Sequence, residues 1–252
     1  MKTYLIDLDG TMYKGSTIID GAVEFLERIK NHNDQYIFLT NNATRTKKQN
    51  VQHMEAIGFH GLEEKDFFTS SMAAASYIAK TSSLRNAYYI GSDGLHEALI
   101  DNGFNICNNN VDFVFVGLDK DGTYQKYSQA LSHLLKGAKL VGTNGDRLLA
   151  KDDGFNIGNG SVVAMFEYAT STKSAQIGKP HKPILDEVLA YANIKKEDAI
   201  LVGDNLETEI KMGVDFGVKT IFVTTGVHHK QDIKRLNIHP DITISSLNEI
   251  VI

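Results

Sequence analysis

The chain has 252 residues, 42% of them hydrophobic and 23% charged, an ordinary globular balance with room for one large or two modest cores. Its net charge of −5 removes any broad electrostatic case for nucleic acid or an anionic membrane, so an anionic ligand needs a local cationic site. The single cysteine, Cys107, excludes an internal disulfide and any multi-cysteine zinc site, and its place among asparagines suggests a structural residue.

The chain opens on an apolar run, residues 3–8, that reads as a buried parallel strand closing on Asp7-Leu8-Asp9-Gly10-Thr11. On such a strand Asp7 and Asp9 would point the same way, and two neighbouring carboxylates stay ionised only beside a cation. A helix is expected over 21–31, with Val23, Leu26 and Ile29 on one stripe. A strand over 36–39 ends in Thr40-Asn41-Asn42, and a helix over 45–57 stops at Gly58. A short strand at 67–69 and a helix over 72–80 follow.

The middle continues the alternation: strands at 87–90, 112–117 and 139–142, helices at 94–102, 127–136 and 161–168. The last third holds helices over 183–192 and 207–217 and strands at 199–202, 220–223 and 242–244, with a terminal helical turn at 247–250. Strand and helix in alternation predict α/β architecture, a doubly wound parallel sheet covered on both faces. No basic segment leads into a long apolar one near the start, and no stretch reaches about 18 apolar residues, so a cytoplasmic location is expected.

Ligands of open α/β sheets bind beyond the carboxyl ends of strands, where this chain places Asp7 and Asp9, Thr40 and Asn41, Asp204, and Thr224. Asp204 adds a third carboxylate, suited to a hard cation such as Mg²⁺. Thr40 and Asn41 offer a hydroxyl and an amide to phosphate oxygens. Lys179, on the stiff Gly178-Lys179-Pro180 turn, offers a positive charge. The Gly158-Asn159-Gly160-Ser161 turn reads as an ordinary helix start, and His228-His229 as a solvated loop.

Asp7-Leu8-Asp9-Gly10-Thr11, Thr40-Asn41, Lys179 and Gly203-Asp204 resemble, in order, the four motifs of the haloacid-dehalogenase-like (HAD) hydrolases. The Leu39-Thr40-Asn41-Asn42 and Ile177-Gly178-Lys179-Pro180 wording is similar to the NagD-like branch. The resemblance implies a Rossmannoid core at 1–79 and 177–252, with a smaller α/β cap inserted at 80–176. It implies a Mg²⁺-dependent phosphatase of small phosphorylated metabolites, a monomer or homodimer, without nucleic acid or membrane partners. Asp7 would be the nucleophile and Asp9 the proton shuttle. Mg²⁺ would meet the Asp7 carboxylate, the Asp9 backbone carbonyl and Asp204. Thr40, Asn41 and Lys179 would hold the phosphoryl group, with Asn42 beside them as a substrate-binding residue. Asn144 and Asp146 would face the substrate from the cap, while Thr11, Asn205 and Glu209 would support the metal from outside its ligand ring. Glu209 stands where the branch carries aspartate.

Two other readings use the same residues. A phosphotransferase or mutase would replace water with a hydroxyl acceptor. A phospho-accepting regulator would also need Asp, Thr and Lys at strand ends, but such modules are about half this length and have no cap.

Overall fold

In a computed structural model, residues 1–151 and 154–252 are described. In chain order the strands are β1 (Thr3–Ile6), β2 (Tyr13–Lys14), β3 (Thr17–Ile18), β4 (Gln35–Thr40), β5 (Phe67–Thr69), β6 (Asn86–Ile90), β7 (Asn105–Ile106), β8 (Phe113–Val116), β9 (Lys139–Gly142), β10 (Leu148–Lys151), β11 (Gly154–Ile157), β12 (Ala175–Gln176), β13 (Ala199–Gly203), β14 (Lys219–Val223) and β15 (Ile242–Ile244). The α-helices are α1 (Ala22–Asn31), α2 (Lys47–Ala56), α3 (Ser70–Thr81), α4 (Asp93–Asp101), α5 (Tyr124–Leu135), α6 (Asn159–Thr170), α7 (Lys182–Ala192), α8 (Lys211–Phe216) and α9 (Asp232–Leu236). Two compact units emerge. One joins Met1–Thr40, Asn50–Phe68 and Val188–Ile252, and the other joins Asn41–Gln49 and Thr69–Glu187.

The first unit carries the sheet ordered β15-β14-β13-β1-β4-β5. Its β1–β4, β1–β13, β13–β14 and β14–β15 pairings are parallel. From β1 the chain winds outward to β4 and β5, then returns to the other side of β1 through β13. The strand order therefore reverses at β1, the point where doubly wound sheets open a ligand crevice. All four residues of β1 and all five of β13 are buried, as expected for strands covered on both faces. Each fully buried aliphatic there contributes about 1.5–3 kcal/mol.

Helix α1 packs on this sheet through Ala22, Phe25, Leu26 and Ile29, the i, i+3, i+4, i+7 stripe. The sequence stripe had Val23 in place of Phe25. Instead, Phe25 sets its ring edge-on to Tyr4, 5.4 Å between centroids, and Val23 is only half-buried. Gly21 precedes the helix at φ 81°, and a Cβ there would run into Asn248, so the position requires glycine.

The second unit is built on a parallel sheet ordered β12-β9-β8-β6-β7. Its core joins Ile90, Val114 and Val116 to Ala130 and Leu134 of α5 and to Val163 and Phe166 of α6. Thr123 caps α5 by accepting from the Lys126 amide at 3.2 Å, a cap the sequence reading passed over in starting the helix at 127. Strand β7, the β2–β3 and β10–β11 hairpins, β12 and α9 were not anticipated. All are short, and too few residues repeat in them to show a period. Among the described residues, no helix is long and apolar enough to cross a membrane.

Two differences bear on function. Strand β1 ends at Ile6 rather than running to residue 8. The Asp7 amide still donates to Val202 O at 2.9 Å, but Leu8 O then accepts from the amides of Thr11, Met12 and Tyr13. Asp7 and Asp9 thus lie beyond the strand rather than on it, Asp7 buried and Asp9 exposed. The segment expected as one helix over 207–217 is a wide π-type turn, Leu206–Ile210, followed by α8. In that turn the Ile210 amide reaches back to Asn205 O at 3.4 Å. Such turns displace side chains from the usual helical stripe and recur at functional sites.

Candidate active site

Since β1 and β13 are neighbours, the residues following them, Asp7 and Asp204, meet despite their separation in sequence. Glu209 is swung in by the wide turn. One carboxylate oxygen from each of the three lies within 4.8 Å of the others, and all three residues are buried. Asp204 is the most enclosed, fully removed from solvent. Its carboxyl pKa is pushed up to about 6, first by burial and then by the negative charge of Glu209.

Residues of two other loops donate to Asp204. Oγ1 of Thr11 donates to Oδ1 at 3.1 Å, the Val227 amide donates to Oδ2 at 2.6 Å, and the His228 amide donates to the main-chain oxygen at 3.3 Å. The backbone closes over it at two glycines. A Cβ on Gly10, at φ 90°, or on Gly226 would strike the Asp204 carboxylate. Thr225 Oγ1 donates to Gly10 O at 2.6 Å and ties these two loops together. The sequence reading had singled out the adjacent Thr224.

Three buried carboxylates gathered this closely concentrate negative charge at one point. Their oxygen-only chemistry and spacing fit a divalent cation. The residues present therefore suit the metal that this architecture implies.

His228 corrects the expectation of a solvated loop. It is buried, its Nδ1 accepts from the Leu206 amide at 3.2 Å, and its pKa is lowered chiefly by burial. The neutral ring caps the wide turn that carries Glu209. Asn205 also caps it, accepting from the Glu207 amide at 2.9 Å. A histidine pair in a polar loop carries no sequence signal that would disclose this role.

In the second unit a different set gathers. Asn41 Nδ2 donates to Asp146 Oδ1 at 2.9 Å and to Lys179 O at 3.1 Å. Its Oδ1 accepts from the Lys179 amide at 2.9 Å. Asn144 Nδ2 donates to Asn41 O at 2.8 Å, and Ser70 Oγ donates to the same oxygen at 2.6 Å. The Asn144 Oδ1 receives the Asp146 amide at 3.2 Å. Asn42 accepts from the amide and hydroxyl of Thr44 in a side-chain turn. Thr40 closes β4 in the first unit, 4% exposed, and Lys179 in the second is 2% exposed. A lysine this buried is uncommon and needs compensation.

Asn159, read from sequence as part of an ordinary turn, is a hub of this unit. Its Nδ2 faces Val116 O at 3.0 Å, Thr143 Oγ1 at 3.2 Å and Asn144 O at 3.2 Å. The Gly158 and Gly160 amides donate to Arg147 O and Asp146 O, so the start of α6 holds the 143–147 loop in place. Asn159→Ala is expected to lower stability by about 1–3 kcal/mol, because buried acceptors lose their donor. A urea unfolding midpoint unchanged from wild type would contradict this.

Fold and site together define the class. Residues 4–105 match the model of the haloacid dehalogenase-like hydrolases, and 176–250 match that of HAD-hydrolase-like proteins. The chain is 36% identical over 251 residues to an acid sugar phosphatase of Staphylococcus saprophyticus, covering 99% of this chain and 96% of that one. It is likewise 36% identical to the 5'-nucleotidase YutF of Bacillus subtilis, covering 98% and 96%. The solved structure of NagD from Escherichia coli K-12 superposes with a TM-score of 0.92 at 29% identity, covering 100% of this chain and 98% of that one.

The chain belongs to the haloacid-dehalogenase-like hydrolases. Within them it lies on the NagD-like branch, and it is an enzyme of the phosphoric monoester hydrolase type.

Proposed function

We propose that this chain is a Mg²⁺-dependent phosphatase that hydrolyses small phosphate monoesters, of the sugar phosphate or nucleotide type, through an aspartyl-phosphate. The observation that carries the reading is the buried Asp7, Asp204 and Glu209 cluster beyond the reversal of strand order at β1. The named activities of the relatives agree with it.

In this reading the Asp7 carboxylate attacks phosphorus, and the bond from phosphorus to the leaving oxygen breaks. Asp9, exposed beside it in the chain, protonates that oxygen. It then takes a proton from the water that cleaves the aspartyl-phosphate, regenerating Asp7 and releasing phosphate. Asp7, Asp204 and the Asp9 backbone carbonyl would hold Mg²⁺. Glu209, expected outside the ligand ring, has an oxygen in the same cluster and would act on the ion directly or through one water. Bound Mg²⁺ supplies positive charge that offsets repulsion between an anionic nucleophile and an anionic substrate.

Thr40 and Lys179 are assigned to the transferring phosphoryl group, with the Asn41–Asn42 segment shaping its surroundings. The residues 80–176, expected as the cap, contain every strand of the second sheet from Asn86 to Gln176, and their Asn144-Gly145-Asp146 loop is assigned to the leaving group. The lone cysteine suits a reducing cytoplasm.

The test is phosphate release from a panel of sugar phosphates, nucleotides, pyridoxal phosphate, phosphoglycolate and nitrophenyl phosphate, with Mg²⁺ and no added acceptor. Release from at least one substrate is expected. Transfer only to an added hydroxyl compound would establish the phosphotransferase instead, and a stable phosphoenzyme without turnover the regulator.

A further inference from the structure

We propose that Asn41 is the positioning residue of Lys179, and that Asp146 locks it in that role. The inference rests on the reading that Lys179 serves the transferring phosphoryl group.

A primary amide has two hydrogens and one acceptor oxygen. Asn41 commits both hydrogens, one to Asp146 Oδ1 and one to Lys179 O, and gives its oxygen to the Lys179 amide. One side chain thus grips both polar groups of the Lys179 backbone. That two-point grip also sets the orientation of the amide, because reversing it would oppose donor to donor and acceptor to acceptor. The sequence expectation gave Asn41 Nδ2 to a phosphate oxygen. Donation there would take a hydrogen from Asp146 Oδ1 or from Lys179 O.

The surroundings are shaped for this contact. Gly178 brings the backbone so close that a Cβ would lie 2.8 Å from Asn41 Oδ1, 2.7 Å from Asn144 Cβ and 2.6 Å from Thr143 O. The Asn41 carbonyl is itself held by Ser70 and Asn144. Asp146 accepts as a carboxylate, which strengthens the bond and fixes the amide plane. The lysine side chain has four rotatable bonds, so its ammonium is only as well placed as the backbone that launches it. The loop bearing Asn144 and Asp146 thereby acts on Lys179 through Asn41.

The test is a set of double-mutant cycles on nitrophenyl phosphate with Mg²⁺, reading kcat and KM separately. Asn41→Ala is expected to lower kcat about 10- to 100-fold, the usual effect of removing a group that orients a reacting one. That loss should vanish in a Lys179→Ala background, where the double variant should match Lys179→Ala within about twofold. Asp146→Ala should give a smaller kcat loss that vanishes in the same background. Asp146 is only half-buried, so its cycle decides the matter should Asn41→Ala fail to fold. Losses that multiply in the double variants would overturn the proposal, since Asn41 would then act on substrate independently. A wild-type rate for Lys179→Ala would instead overturn the role of Lys179 on which the proposal rests.

Discussion

Asp7→Asn is expected to lower turnover by a factor on the order of 10⁵–10⁶ while the protein stays folded. Asparagine matches aspartate in size and shape but has no anionic oxygen to attack phosphorus, so no aspartyl-phosphate forms. The fold tolerates the change for two reasons. The sheet bond at this position is made by the Asp7 main chain, through its amide to Val202 O at 2.9 Å. The substitution also removes one of three mutually repelling buried charges, since Asp7 shares its cluster with Asp204 and Glu209. Melting curves of the metal-free variant check that it still unfolds cooperatively. Rapid acid quench should trap labelled phosphoenzyme in the wild type and none in the variant. Residual turnover above about 1% would assign the nucleophile elsewhere.

Chelation by EDTA is the second large effect: activity should fall by a factor on the order of 10³ or more and return on addition of excess Mg²⁺. Asp204→Asn should reproduce the loss and resist rescue. The pH dependence follows from the raised pKa of Asp204, about 6 in the metal-free protein. Below that value Asp204 holds a proton, and a cation must displace it, so Mg²⁺ affinity weakens as pH falls through 6. The stability term runs the other way. The folded pKa lies above the ordinary value of 3.8, so the metal-free fold binds this proton more tightly than the unfolded chain does. Its contribution is present at low pH and is lost as pH rises from about 4 through about 6. Added Mg²⁺ should then raise the melting temperature more at pH 7 than at pH 5. Calorimetric titration and melting curves at both pH values measure this. A Mg²⁺ response that is flat between them would separate Asp204 from the cation.

The motif residues at strand ends were legible because they depend on local pattern. An apolar run that stops at Asp7, Thr40 or Asp204 marks the end of a buried strand, and buried parallel strands place their carboxyl ends on one edge. Strand order then made Asp7 and Asp204 neighbours, as their motif pairing implied. Less legible was the backbone just past those ends. The difference between buried Asp7 and exposed Asp9 arises because the chain turns after Ile6, where Leu8 O accepts three amides. A two-residue alternation cannot foresee such a turn.

By itself, the sequence determined the class of fold and the ordered motifs, because these rest on hydrophobic period and on short runs of neighbouring residues; the role of Asp7 as nucleophile came from the family resemblance those motifs carry. The tertiary structure alone decided that Glu209 joins the carboxylate cluster, since only the wide turn at Leu206–Ile210, capped by buried His228, swings it inward. It alone decided that the Asn41 amide grips the Lys179 backbone and that Asn159 holds the loop of Asn144 and Asp146. The physical reason is the same in each case. A buried polar side chain is assigned its partner by which donors and acceptors the fold brings within about 3 Å, and those come from segments far apart in the chain.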